Sequence, residues 1–160
     1  MKMEPIYRTV LAETGHLSQP AACQGEFQRT ELPKLSPWLS PDTTSVVLAL
    51  CTLGPQIQEH IDEISQNDLL KAVIIDEISL AYITSITRQI HSSVRIQAQE
   101  RGLKAGPAYR PGLGRWPLET QQIVFARLPA QTIGVTLNEQ LVMMPRQSTS
   151  LIIPIFDRNS

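Results

Sequence analysis

The sequence predicts an α+β fold, a mostly antiparallel, twisted sheet packed against long helices that lie on one side of it. Three observations carry this. Residues 45–51 are a continuous β-branched and apolar run, and residues 69–101 hold a helical apolar stripe without Pro or Gly. Three further β-prone pieces follow toward the C-terminus. At 160 residues the chain reads as one domain over 1–160, able to bury roughly 70% of its unfolded surface without disulfides or metal.

The elements follow in order. Residues 6–11 are a short β-prone run with a charge at Arg8. Residues 12–43 are loop-rich, with Pro, Ser, Gln and Thr around apolar anchors at Phe27, Leu32, Leu35, Trp38 and Leu39, and read as extended strand, loop and one short helical turn. Residues 45–51 predict a strand buried on both faces. Thr52, Leu53 and Gly54 turn it into a helix with Pro55 in its first turn and Ile57, Ile61 and Ile64 on its inner face.

Asn67 and Asp68 are N-cap candidates for the next helix. Its apolar stripe runs through Leu70, Val73, Ile74, Ile78, Ala81, Ile83, Ile86, Ile90 and Val94, and Gly102 is its natural stop. Such a helix is about 50 Å long, so it is expected to bend or to project its last turns past the core. Pro117 opens a helix over 118–125. Residues 133–137, 141–145 and 150–155 are β-prone, the first two at hairpin spacing.

Composition narrows function. A net charge of −1 gives no support to binding driven by phosphate neutralisation, so no nucleic-acid partner is expected. No apolar run approaches the ~20 residues that span a bilayer, and the N-terminal Met1-Lys2-Met3-Glu4-Pro5 lacks the apolar core of a secretory signal. A cytoplasmic protein without a membrane partner is expected. Cys23 and Cys51 form no metal motif, and Cys51 reads as a small buried hydrophobe. His16, His60 and His91 are scattered without zinc-ligand spacing.

The candidate site is the run Ala108-Tyr109-Arg110-Pro111-Gly112-Leu113-Gly114-Arg115-Trp116-Pro117-Leu118-Glu119. Its prolines and glycines exclude regular structure and fix a tight loop, on which two arginines and a tryptophan are mounted. Such a loop is either a structural corner or a presented recognition surface. Trp116 either anchors a contact or packs beneath the loop.

This loop is similar to the R-x-S-P-G-Y-G-D-W-P-L-x-x-Q loop of the activation domains of cobalamin-dependent methionine synthase. Three other pieces fall in that family's order. Cys51-Thr52-Leu53-Gly54-Pro55 resembles A-T-L-G; Ile133-Gly134-Val135-Thr136-Leu137-Asn138-Glu139 resembles I-G-V-x-L-T-E; Met144-Pro145-Arg146-Gln147-Ser148-Thr149-Ser150 resembles M-x-P-x-x-S-x-S. The likeness is strongest over 44–153.

The resemblance implies a domain that docks on a corrinoid (cobalamin-binding) protein and holds S-adenosylmethionine as the methyl donor for reductive reactivation, by positioning rather than by covalent chemistry. It implies no catalytic residue in this chain. The binding residues it suggests are Arg110, Pro111, Gly112, Leu113, Gly114, Arg115, Trp116 and Glu139, with Glu119 also matching. The family's carboxylate-gripping Arg falls on Ala108, and the small residue whose backbone meets the donor falls on Arg110. The corrinoid-facing Tyr falls on Leu113, the Asp of G-D-W on Arg115, and the acidic residue of the long helix on Thr84. The late Tyr pair falls past the last residue. Ser148 and Ser150 read more simply as turn and strand hydroxyls.

The leading expectation is therefore an accessory protein of a cobalamin-dependent methyltransferase system, meeting cobalamin only through its partner, a corrinoid protein or methyltransferase subunit. The alternatives are an S-adenosylmethionine-binding subunit for reductive methylation, and a scaffold that keeps the fold for an unrelated ligand.

Overall fold

The computed structural model describes residues 3–159. Four antiparallel strands form the main sheet in the order β1-β2-β6-β3, with β1 Ala21–Gln28, β2 Thr43–Thr52, β3 Leu103–Ala105 and β6 Ser148–Asp157. The expected apolar run is β2, at the centre of the sheet. Its even positions Val46, Leu48 and Leu50 enter one core and its odd positions Val47 and Ala49 another, so alternation places apolar residues on both faces.

One face is covered by the C-terminal half of a long helix, α3 Leu69–Glu100. Val94 and Ala98 pack there against Val47, Ala49, Leu151, Ile153 and Ile155. The opposite face is covered by the 3₁₀ turns Arg29–Glu31 and Pro33–Trp38 and by α4 Thr120–Arg127, through Leu32, Leu35, Trp116, Val124 and Leu128. Helices confined to one side are thus corrected to cover on both. An apolar central strand cannot leave either face in water.

A third core lies past the end of β2. There Cys51 and Leu53 meet Val10 of α1 Met3–Leu17, Ile57 and Ile61 of α2 Pro55–Ile64, and Ala72, Ile75 and Ile78 of α3. The β-prone reading of 6–11 is overturned, since this segment is helical. Val10, Thr14 and Leu17 recur at helical spacing toward α2 and α3, and burying that face outweighs local β preference. Residues 12–43 accordingly begin with the end of α1 and contain all of β1.

Asp68 caps α3 by accepting from the Lys71 N–H at 3.0 Å, and Gly102 ends the helix region at φ +73°. The stripe shifts from the expected one. Leu70, Val73 and Ala81 are exposed, while Ala72, Ile75, Ser79, Thr87 and Ala98 are buried. The last turns do not project past the core; they lie on the sheet, and the first turns expose one face instead.

The hairpin is present but short, with β4 Thr136–Leu137 against β5 Met143–Met144. The Asn138 side chain accepts from the N–H groups of Gln140 and Val142, both at 2.9 Å, and this fixes the turn. Ile133, expected to start a strand, instead closes the 3₁₀ turn Ala130–Ile133. Among the described residues no helix is long and apolar enough to cross a membrane.

Candidate functional site

The candidate loop is stitched to the sheet and then closed on itself. Tyr109 and Ile152 exchange N–H···O bonds at 2.8 Å each, which extends the β6 edge beyond β3 by one bridge. The Gly112 N–H donates to Trp116 O at 2.9 Å, Leu113 N–H to Arg110 O at 3.1 Å, and Trp116 N–H to Leu113 O at 3.2 Å. Such a tight path requires left-handed backbone at Gly112 (φ +85°) and Gly114 (φ +61°).

Trp116 is the floor of this loop. It is 2% exposed, stacks on Tyr109 with ring centroids 5.0 Å apart, and meets Trp38 at 6.3 Å. Of its two readings the structure has the packing one. Pro111 is buried, whereas Gly112, Gly114 and Arg115 are exposed and Leu113 stands 59% exposed between the glycines. Glu139 sits apart on the exposed turn of the β4–β5 hairpin and lines neither of the two cavities described below.

Arg110 does not join Arg115 on the outer surface. It turns toward α3 and donates from Nη2 to Thr87 Oγ1 at 3.2 Å, and the Thr87 hydroxyl in turn donates to Thr84 O at 2.8 Å. Arg110 thereby becomes one wall of a cavity of about 310 Å³ between the first half of α3 and the start of β6. Asp76, Ser79, Leu80 and Ile83 form the helix side, and Arg146, Gln147, Ser148 and Thr149 the strand side. Burial pushes the nearby Cys51 thiol up to about 11, against the pull of the Arg110 guanidinium, which favours the thiol over the thiolate.

The charges in this cavity are incompletely spent. Arg146 pairs with Asp62 at 3.0 Å, but among the described residues Arg110 has no carboxylate partner. Asp76 receives only a long contact of 3.5 Å from Gln147 Nε2, and the buried Gln147 Oε1 has no hydrogen-bond partner among the described residues. Arg110 and Asp76 therefore bring a guanidinium donor and a carboxylate acceptor to one small cavity, an arrangement able to meet a ligand carrying both an anionic and an ammonium group.

Ser148 and Ser150 keep structural roles. Ser148 Oγ contacts Thr52 Oγ1 at 2.8 Å and Pro145 O at 2.7 Å, and Ser150 Oγ donates to Gln121 Oε1 at 3.0 Å. Ala108 packs beside the core under α3, and Thr84 offers no acid. The α3 carboxylate that does reach the cavity, Asp76, lies two turns earlier and was not singled out by the sequence. Its only signal was an acidic residue interrupting the apolar spacing of Val73 and Leu80. No group of side chains suited to a metal ion occurs among the described residues.

A second cavity, about 540 Å³ and more apolar, lies between the Pro33–Trp38 turn and α4, walled by Trp38 and Ile123. Of the loop's residues it touches Glu119.

Fold and site together define an α+β domain whose antiparallel sheet carries a stiff Pro-Gly loop on its β6 edge. No family profile and no curated protein matches the chain. Among solved structures it is similar to the MetH reactivation domain bound to AdoHcy, with a TM-score of 0.69 and 13% identity. That likeness covers 96% of this chain and 66% of the other, less than two thirds of it. It shows a shared fold of mixed helix and antiparallel sheet.

Proposed function

We propose that this chain is a non-catalytic accessory domain of a cobalamin-dependent methyltransferase system, which docks on a corrinoid protein and assists its reductive reactivation. The observation that carries the reading is Leu113, 59% exposed on a loop made rigid by Trp116 beneath it, in a fold shared with the MetH reactivation domain. An apolar side chain held out by a preorganised loop loses little entropy on docking. Arg115 is exposed beside it for acidic groups of the partner or the polar rim of the corrinoid.

Titration calorimetry against the cobalamin-binding domain of a methionine synthase tests this. Micromolar binding that Leu113→Asp abolishes is the expected result. Absence of binding by the unmodified chain overturns the reading.

A second reading rests on the smaller cavity. Arg110 and Asp76 fit the carboxylate and ammonium of the amino-acid end of S-adenosylmethionine, which when bound supplies the methyl group for reductive methylation of cobalamin. Arg110 and Asp76 then only hold and orient the donor. Direct titration with S-adenosylmethionine, weakened at least tenfold by Arg110→Ala and by Asp76→Asn, is the outcome this reading expects. If neither the donor nor the corrinoid domain binds, the fold serves an unrelated ligand.

A further inference from the structure

The face by which α3 meets the sheet continues past the place where the sheet stops. Ile83, Thr87, Val94 and Ala98 recur along one side of the helix and are buried. The same three-and-four spacing counted backward gives Leu80, Asp76, Val73 and Leu69, and all four are exposed. Leu69 is 68%, Val73 48% and Leu80 61% exposed, with Leu70 at 54% beside them. Because α1 and α2 pack on the other side of this half of α3, through Ala72, Ile75 and Ile78, the seam stays open. So many large apolar side chains on one short stretch of helix form a patch that a folded chain keeps only for a partner.

Charge identifies the partner's chemistry. Asp76 and Glu77 are exposed midway between Leu69 and Leu80, and neither has an ion pair among the described residues. Of the cations near this stretch, Lys71 pairs with Glu13 at 3.0 Å and Arg146 with Asp62 at 3.0 Å, which leaves the two carboxylates facing one unspent guanidinium, that of Arg110, held inward on Thr87 at 3.2 Å. A second copy of this chain laid along the seam in either direction would set these carboxylates against their own counterparts, which opposes self-association. A basic segment meets the opposite situation.

We infer that the open half of the α3 seam is a docking surface for an amphipathic helix of another protein, apolar at three-and-four spacing and carrying Lys or Arg at its middle. The surface is separate from Leu113, but it shares Asp76 and Leu80 with the Arg110 cavity, so a helix seated on the seam and a donor held in the cavity compete.

Two fluorescein-labelled synthetic helices test this by anisotropy with the whole chain. They share one apolar spacing, and one carries Lys where the other carries Glu. The lysine helix is expected to bind about tenfold or more tightly than the glutamate helix, with a preference that shrinks as salt rises. Leu80→Asp should weaken it about tenfold without lowering the melting temperature, since Leu80 is exposed. The double change Asp76→Lys with Glu77→Lys should reverse the preference, and Leu113→Asp should leave it unchanged. Equal binding of both helices, binding of neither, or a dimer by sedimentation that Leu80→Asp dissociates would overturn the inference.

Discussion

Trp116→Ala is expected to destabilise the fold severely. The indole is 2% exposed within a cluster that includes Leu48, Val124 and Ile152, so its removal leaves a cavity bounded by strands and α4 that cannot collapse. Truncation of a buried aromatic costs about 3–5 kcal/mol, of which ~1 kcal/mol here belongs to the stack on Tyr109 at 5.0 Å. For a domain of this size that is about a third to a half of the total stability, or roughly 8–16 °C in melting temperature. Trp116→Phe is the control. It keeps a stacked ring, and Nε1 has no hydrogen-bond partner among the described residues, so about 1–2 kcal/mol is expected. Urea unfolding followed by far-ultraviolet circular dichroism measures both. The fluorescence of Trp38, the remaining one of two tryptophans, reports whether the cluster has loosened. Melting of Trp116→Ala within a degree or two of the parent would refute the argument and make the indole a surface anchor.

The other expectations are more local. Gly112→Ala is strained twice, by φ +85° and by a Cβ 3.1 Å from Leu118 Cδ1, whereas Gly114→Ala at φ +61° meets nothing within 4 Å. Costs of about 2 and about 1 kcal/mol follow, in that order, by thermal melting. Burial pushes the Glu13 carboxyl up, but Lys71 and His60 outweigh it and hold it below the usual carboxylate range. With the folded value depressed, its stabilisation is present above the unfolded value and lost as pH falls through the folded one, so melting at pH 3 against pH 7 should separate the parent from a flatter Glu13→Gln. At pH 8 an aromatic disulfide reagent should modify the half-buried Cys23 slowly and the buried Cys51 only after unfolding. Thr87→Val removes the hydroxyl that orients Arg110 and should weaken S-adenosylmethionine binding several-fold in the second functional reading, while docking through Leu113 persists.

What the sequence made legible is what neighbouring residues decide. The apolar run of β2, the Pro55 start of α2, the Asp68 cap and the Gly102 stop are local signals, and each corresponds to an element of the structure. α1 was misread because its helical face is defined by α2 and α3, which approach it only in the folded chain. The α3 stripe was misassigned for a related reason: the helix buries one side against α1 and α2 and, further along, another against the sheet, so no single stripe describes it. In the candidate site, Pro and Gly announced the loop's stiffness. The direction of Arg110 was invisible because it is set by Thr87, and the cavity it enters needs Asp76 and Gln147 from distant parts of the chain.

The loop faces in two directions from one backbone. Tyr109 and Trp116 hold it on the sheet, Arg110 reaches inward to the cavity, and Leu113 stands outward, yet Leu113 N–H donates to Arg110 O at 3.1 Å. Because the guanidinium can leave Thr87 by side-chain rotation alone, a ligand in the cavity leaves that backbone bond, and Leu113 with it, in place. The two functional readings, docking at Leu113 and donor binding at Arg110, are consequently separable on this fold, as the Thr87→Val expectation requires. Both readings depend on the closed turn that aims one side chain inward and the other outward, which is the physical reason to regard the stiff Pro-Gly path itself, more than any one side chain on it, as the basis of this candidate site.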